Sequence, residues 1–176
     1  MGDAGILILG VGNTLMRDDG IGVWVLRSLA ERYRIPSGLR LVDGGVAGLG
    51  LLPEISCARR LIVVDAVKGG GPPGTVYRLT PADLPVKPRL FLSAHEVGIR
   101  ELLSTAEFLG KLPSTRIIGV EPKEAATPGL ELTEPLRRSL PDAVRAVVEE
   151  LSAMGIRLRE APKGHKRHGG EEKAHA

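Results

Sequence analysis

GILILGVGNTLMRDDGIGVWVLRSL, residues 5–29 of a 176-residue chain, holds a strand, a turn and a helix in succession. It opens on Ile6-Leu7-Ile8-Leu9, an uninterrupted apolar run of the kind found in strands buried on both faces of a parallel sheet. The run ends at Gly10-Val11-Gly12-Asn13, where the glycines permit a tight turn and close backbone approach. Beyond Arg17-Asp18-Asp19-Gly20, Ile21, Val25 and Leu29 recur at helical spacing, accompanied by Trp24 and Ser28. Two carboxylates therefore fall between the carboxyl end of a strand and the start of a helix. In open α/β sheets that edge is where ligands bind.

Other readings of the same residues stand beside this one. Asp18 or Asp19 alone could be an N-cap or a first-turn residue that stabilises the helix dipole. Gly10-x-Gly12 after a strand also admits a nucleotide-binding oxidoreductase, with the glycines on phosphate and Asp43 on ribose. The third glycine of that fingerprint would fall at position 15, which is leucine, and no Gly-Lys-Ser/Thr follows for a phosphate loop. Carboxylates in the turn would repel a pyrophosphate. They suit a metal or another cation better.

Outward from this stretch, Pro36-Ser37-Gly38 breaks the first helix pattern, which fades near Tyr33-Arg34. Leu39 to Asp43 predicts a second strand ending at Gly44-Gly45, and Gly48 to Ile55 a brief helix. Leu61-Ile62-Val63-Val64 is the clearest buried strand and ends on Asp65. A Gly/Pro loop from Lys68 to Gly74 precedes Thr75 to Leu79, whose alternation predicts an edge strand. Pro81 to Pro88 is irregular. Ser93-Ala94-His95-Glu96 has the capping-box pattern and opens a helix facing inward through Ile99, Leu102, Leu103, Ala106 and Leu109.

Arg116 to Val120 predicts a further strand, followed by a loop from Glu121 to Leu132. Thr133-Glu134-Pro135 opens a last helix, with Leu136, Leu140, Val144, Val147 and Leu151 inward, and Gly155 fits its C-cap. Pro141 should kink that helix or mark its true beginning. The order β-α-β-α-β-β-α-β-α predicts a three-layer α/β domain around a mostly parallel sheet. Residues 1–161 are expected to form a single domain. Residues 162–176, PKGHKRHGGEEKAHA, carry no apolar side chain beyond alanine and are expected to be a disordered tail, its three histidines solvated.

Composition narrows the function classes. Hydrophobic residues make up 43% of the chain, as in globular proteins generally, and a core of useful size is possible without disulfides. Cys57 is the single cysteine, which excludes internal disulfides and cysteine-based zinc sites. The absence of an 18-residue apolar run or a basic-then-apolar leader leads to the expectation of a cytoplasmic protein that does not span a membrane. The tail contributes +2 of the formal charge of +3, and aromatics are only 3%, so a basic, base-stacking surface for nucleic acid is not expected.

Asp18/Asp19, Asp43 and Asp65 all follow or end predicted strands at one edge of the sheet. His95, the one histidine outside the tail, sits near a helix N-terminus at that edge, where the dipole favours neutral imidazole. Taken singly, Asp43 could form a turn before its glycines, Asp65 could cap the following segment, and His95 could be an ordinary first-turn residue. Together, carboxylates and a histidine from separate elements suit a divalent metal with open positions. Ser93 and Cys57 are candidate nucleophiles by type, but Ser93 lies in the capping box and Cys57 in an expected helix, and neither has a base in a recognisable triad.

The run Gly10 to Gly22 resembles the N-terminal signature of the hydrogenase maturation endopeptidases. Asp43-Gly44-Gly45-x-x-Gly48, Val64-Asp65-Ala66, Ser93-x-His95-x-x-Gly98 and Gly119-Val120-x-Pro122 resemble that family's later blocks in order and spacing. The likeness covers roughly residues 5–155. It implies an α/β/α sandwich with a five-stranded mixed sheet, one strand antiparallel. It also implies an aspartyl-type, metal-assisted endopeptidase that removes a C-terminal peptide from the large-subunit precursor of a nickel–iron hydrogenase after nickel insertion. The family's metal-contacting positions correspond to Asp19, Asp65 and His95, and the nickel is expected to come with the substrate precursor. Some relatives carry glutamate in the first of these positions. Asp18 is then left to orient Asp19 or cap the helix. A non-catalytic nickel-binding chaperone using the same three residues is the remaining alternative. Neither the particular hydrogenase nor the oligomeric state is implied.

Overall fold

A computed structural model describes residues 5–84 and 94–162, with residues 94–98 described by backbone alone. Strands β1 (Ile6–Val11), β3 (Leu39–Gly45), β4 (Arg60–Ala66), β5 (Val76–Leu79) and β6 (Ser114–Val120) form one sheet in the order β3-β1-β4-β6-β5. The first four are parallel to one another, and β5 runs antiparallel at the edge against β6. Helices α1 (Ile21–Arg32) and α4 (Glu134–Ala153) cover one face; α2 (Leu52–Ser56) and α3 (Ala94–Phe108) cover the other. This is the expected three-layer α/β/α sandwich with a five-stranded, mostly parallel sheet. Strands β2 (Tyr33–Arg34) and β7 (Arg159–Glu160) pair separately, where the helix pattern was expected only to fade.

The strand pleat divides the core. Ile6 and Ile8 of β1, Ile62 and Val64 of β4, and Ile118 and Val120 of β6 join Leu29, Leu136 and Val147 under α1 and α4. The alternate residues Leu7, Leu9, Leu61, Val63 and Ile117 pack with Ile99, Leu102 and Leu103 of α3. Each such side chain fully removed from water contributes about 1.5–3 kcal/mol before entropy is counted. The strands therefore read as continuous apolar runs because both faces are covered.

The helices differ from expectation at three places. Leu109 lies past the end of α3 and is half exposed, not on its inward face. Cys57 is the residue after α2 and is exposed, where the helix was expected to include it. Pro141 is the eighth residue of α4, so of its two expected roles the marking of the helix start is excluded and the helix opens at Thr133-Glu134. At the other end Gly155 has φ +87°, with Gly155 N–H donating to Ser152 O and Ile156 N–H to Leu151 O, a full Schellman stop. Ser93 and residues 163–176 lie outside the described residues. Among the described residues no helix is long and apolar enough to cross a membrane.

Candidate active site

The turn after β1 is shaped by glycines that have protein, not ligand, beside them. Gly12 has φ +120°, and a Cβ there would lie 1.8 Å from the Asp19 carbonyl oxygen. A Cβ on Gly10 would lie 2.5 Å from the Gly22 carbonyl oxygen. One on Gly22 would meet the carbonyl oxygens of Val64 at 2.2 Å and Val11 at 2.4 Å. These contacts seat the first turn of α1 directly on the carboxyl ends of β1 and β4. Packing of strand against helix thus accounts for these glycines without a phosphate.

Residues Arg17–Gly20 form a single 3-10 turn that packs against β4, and the two aspartates on it are both buried, Asp18 at 0% and Asp19 at 2% exposure. Neither caps α1, whose N-cap is Gly20 with no side-chain cap bond. Asp19 Oδ2 accepts from the Asn13 backbone N–H at 2.9 Å, which fixes the carboxylate across the turn. Asp65 lies near the end of β4, 3% exposed, with Oδ1 accepting from Ala66 N–H at 2.8 Å. β1 and β4 are direct neighbours, Gly10 opposite Val64, so Asp19 and Asp65 belong to one stretch of the carboxyl edge.

His95 stands in the first turn of α3, and that helix packs on the 3-10 turn Gly48–Leu51 that follows β3. Its side chain lies outside the described residues. Asp43 does not join the group. It is exposed, and its Oδ1 accepts from Gly45 N–H at 3.0 Å, the turn-forming role. Among the described residues no cluster of three His, Cys, Asp or Glu side chains capable of holding a metal is complete.

Of the two roles expected for Asp18, helix capping is excluded, and its carboxylate is bound by a segment distant in the chain. Oδ2 accepts from Lys123 N–H at 2.9 Å, Glu124 N–H at 2.8 Å and the Thr133 hydroxyl at 2.8 Å, while Oδ1 accepts from Thr133 N–H at 2.7 Å. The carboxylate thus ties the loop after β6 to the turn after β1. Backbone bonds reinforce the seam: Arg17 N–H to Gly129 O, Gly129 N–H to Leu15 O, and Asp18 N–H to Glu124 O. Nothing local in either segment signals a partnership across more than 100 residues.

One buried carboxylate was not singled out in the sequence at all. Glu121, just past β6 and 8% exposed, accepts through Oε2 from Gly69 N–H, Gly70 N–H and the Tyr77 hydroxyl, at 2.7, 2.9 and 2.7 Å. It holds the Gly/Pro loop against the sheet edge. The Tyr77 phenol is pushed above its ordinary range, first by burial and then by its bond to this carboxylate. The signal was present, a carboxylate directly after a buried strand, as at Asp65. Around the same edge Leu15, Val46, Leu49 and Leu130 are 49–69% exposed, an unusual concentration of large apolar side chains in water.

Comparison with known proteins follows the same lines. Residues 23–150 match the family model of the hydrogenase maturation proteases. The chain is 40% identical over 153 residues to the hydrogenase expression/formation protein HoxM of Azotobacter vinelandii, spanning 86% of this chain and 74% of that one. It is 34% identical to the hydrogenase 2 maturation protease of Escherichia coli K12, over 86% of this chain and 93% of that one. The solved structure of the E. coli hydrogenase maturating endopeptidase HybD superposes with a TM-score of 0.80 at 32% identity, covering 88% of this chain and 96% of that one.

Proposed function

The chain belongs to the hydrogenase maturation protease family, and from that premise we propose that it removes the C-terminal extension of a nickel–iron hydrogenase large-subunit precursor once nickel has been inserted. The observation that carries this reading is the pair of buried carboxylates at one edge of the sheet, Asp19 on the 3-10 turn that follows β1 and Asp65 near the end of the neighbouring β4. His95, in the first turn of α3, is the third member of the set. Two hard oxygen donors and an imidazole suit a divalent first-row metal while leaving positions for the scissile carbonyl or a water.

In this reading the nickel belongs to the substrate, and the protease contacts it rather than storing it. Asp19, Asp65 and His95 would hold such a metal, which would supply Lewis-acid polarisation of the scissile carbonyl or activation of a water. Asp19 is held by the Asn13 N–H and Asp65 by the Ala66 N–H, which limits the reorientation either carboxylate needs. The exposed Leu15, Val46, Leu49 and Leu130 suit a polypeptide substrate and place its apolar contacts around the same edge. A cytoplasmic location accords with a precursor processed before its own assembly.

The test compares chelator-stripped enzyme on nickel-loaded and nickel-free precursor. Cutting of the loaded form alone, unaided by added zinc, is the expected result. Asp19→Asn, Asp65→Asn and His95→Ala should each abolish cutting with circular dichroism unchanged. Cleavage of nickel-free precursor by zinc-loaded enzyme at a comparable rate would place the metal permanently in the protease and overturn the reading.

A further inference from the structure

Asp18 is a fully buried carboxylate whose four bonds all come from neutral donors, three backbone N–H groups and one hydroxyl. Such a charge is tolerated only when its lone pairs are satisfied, and here it also lies at the N-terminus of α4, where the helix dipole favours an anion. Thr133 is the N-cap residue of α4, yet its hydroxyl donates to Asp18 instead of accepting from the helix. The start of α4 and the loop from Lys123 onward are therefore anchored to the turn that carries Asp19.

We propose that Asp18 is the positioning residue of the active site, acting through Asp19, an inference that rests on the role given to Asp19 above. The two aspartates are consecutive on one 3-10 turn, and their carboxylates are held on different partners: Asp18 on the 123–133 loop, Asp19 on Asn13. Arg17, beside them, adopts φ +48°, a strained conformation for a bulky residue that persists only where surrounding bonds over-determine the backbone. The bonds that do so are those of the loop seam, Arg17 N–H to Gly129 O and the Asp18 carboxylate. Releasing Asp18 lets the turn relax, and Asp19 is displaced with it.

Displacement of a reacting group by about 1 Å costs on the order of 100-fold in rate, which is the scale expected for Asp18→Asn. The amide would also turn an N–H toward one of the N–H donors. A gentler probe is Thr133→Val, which removes one donor at nearly constant volume, paired with Thr133→Ser, which returns it. With folding verified by circular dichroism and the assay run well below each variant's Tm, Thr133→Val should lower kcat by roughly tenfold with KM unchanged. Thr133→Ser should recover most of the loss.

If Asp18→Asn or Thr133→Val lowers only Tm, with full kcat in the folded protein, Asp18 is a stability element and the inference fails. A raised KM at unchanged kcat would also overturn it, by placing Asp18 in substrate binding. Should Asp18→Asn fail to fold, the Thr133 pair still decides. Asp19→Asn is run in parallel: full activity there removes the site assignment itself, whereas an inactive Asp19→Asn beside a fully active Thr133→Val rejects only the positioning role.

Discussion

Gly22 shows how much of the site rests on the absence of an atom. With 2.2 Å between a notional Cβ and the Val64 carbonyl oxygen, alanine cannot be accommodated unless α1 lifts from β1 and β4. Gly22→Ala should destabilise the protein by about 3 kcal/mol or more, read as a lower midpoint in urea unfolding, because backbone on both sides resists the shift. Cys57 lies at the other extreme. It is exposed and takes no part in the proposed chemistry, so Cys57→Ser should change stability by less than about 0.5 kcal/mol and leave precursor cleavage intact. A folded but inactive Cys57→Ser would make thiol chemistry unavoidable. At this scale residue type and spacing brought forward Asp18/Asp19, Asp43, Asp65 and His95, and the choice of Asp19, Asp65 and His95 among them came from the family resemblance. Type and spacing alone could not separate Asp18 from Asp19, since adjacent carboxylates on a turn look alike until their partners are known.

Among the elements, α4 carries its own test. Pro141 is exposed inside the helix, where it lacks an N–H and crowds the carbonyl one turn earlier. Pro141→Ala should therefore stabilise the protein by about 1–3 kcal/mol, raising Tm by several degrees. An unchanged or lower Tm would mean that the ring's own packing outweighs the lost bond. The loop over β5 responds to pH instead. The Tyr77 phenol is held above its ordinary value, so its neutral form is favoured in the folded state. The stability this gives is complete below the unfolded pKa near 10 and is lost as pH rises through the higher folded value. Tm of the native chain should thus fall more steeply above about pH 10 than that of Tyr77→Phe, and parallel curves would show that the phenol does not stabilise the loop. Periodicity revealed these helices and strands well, because each buries a regular stripe. β2 and β7 escaped it, being two residues long and defined only by each other.

For the whole molecule, the sheet order sends every parallel strand toward the same edge, and the last described residues lie at the opposite one. Ala161 N–H donates to Arg32 O at the far end of α1, beyond the β2–β7 pair. Truncation after Ala161 should leave Tm within about a degree or two, since the removed residues are expected to bury almost nothing. It should also leave cleavage unchanged. A large fall in Tm would mean that the tail packs on the body and that the domain extends past residue 161.

The sandwich follows from the chain alone, because unbroken apolar strands alternating with amphipathic helices have few other ways to cover both faces of a sheet. The same pattern brings the acidic turns to one edge, since parallel strands necessarily share their polarity. What holds each carboxylate emerges only on folding. Asp18 finds its donors 105 to 115 residues away, Glu121 finds its own some 50 residues back, and Asp43 turns to Gly45, two residues on. Hydrogen bonds have no period along a chain. Which acid is buried on a loop, and which is kept for the edge of the sheet, is settled by where the folded backbone points its N–H groups.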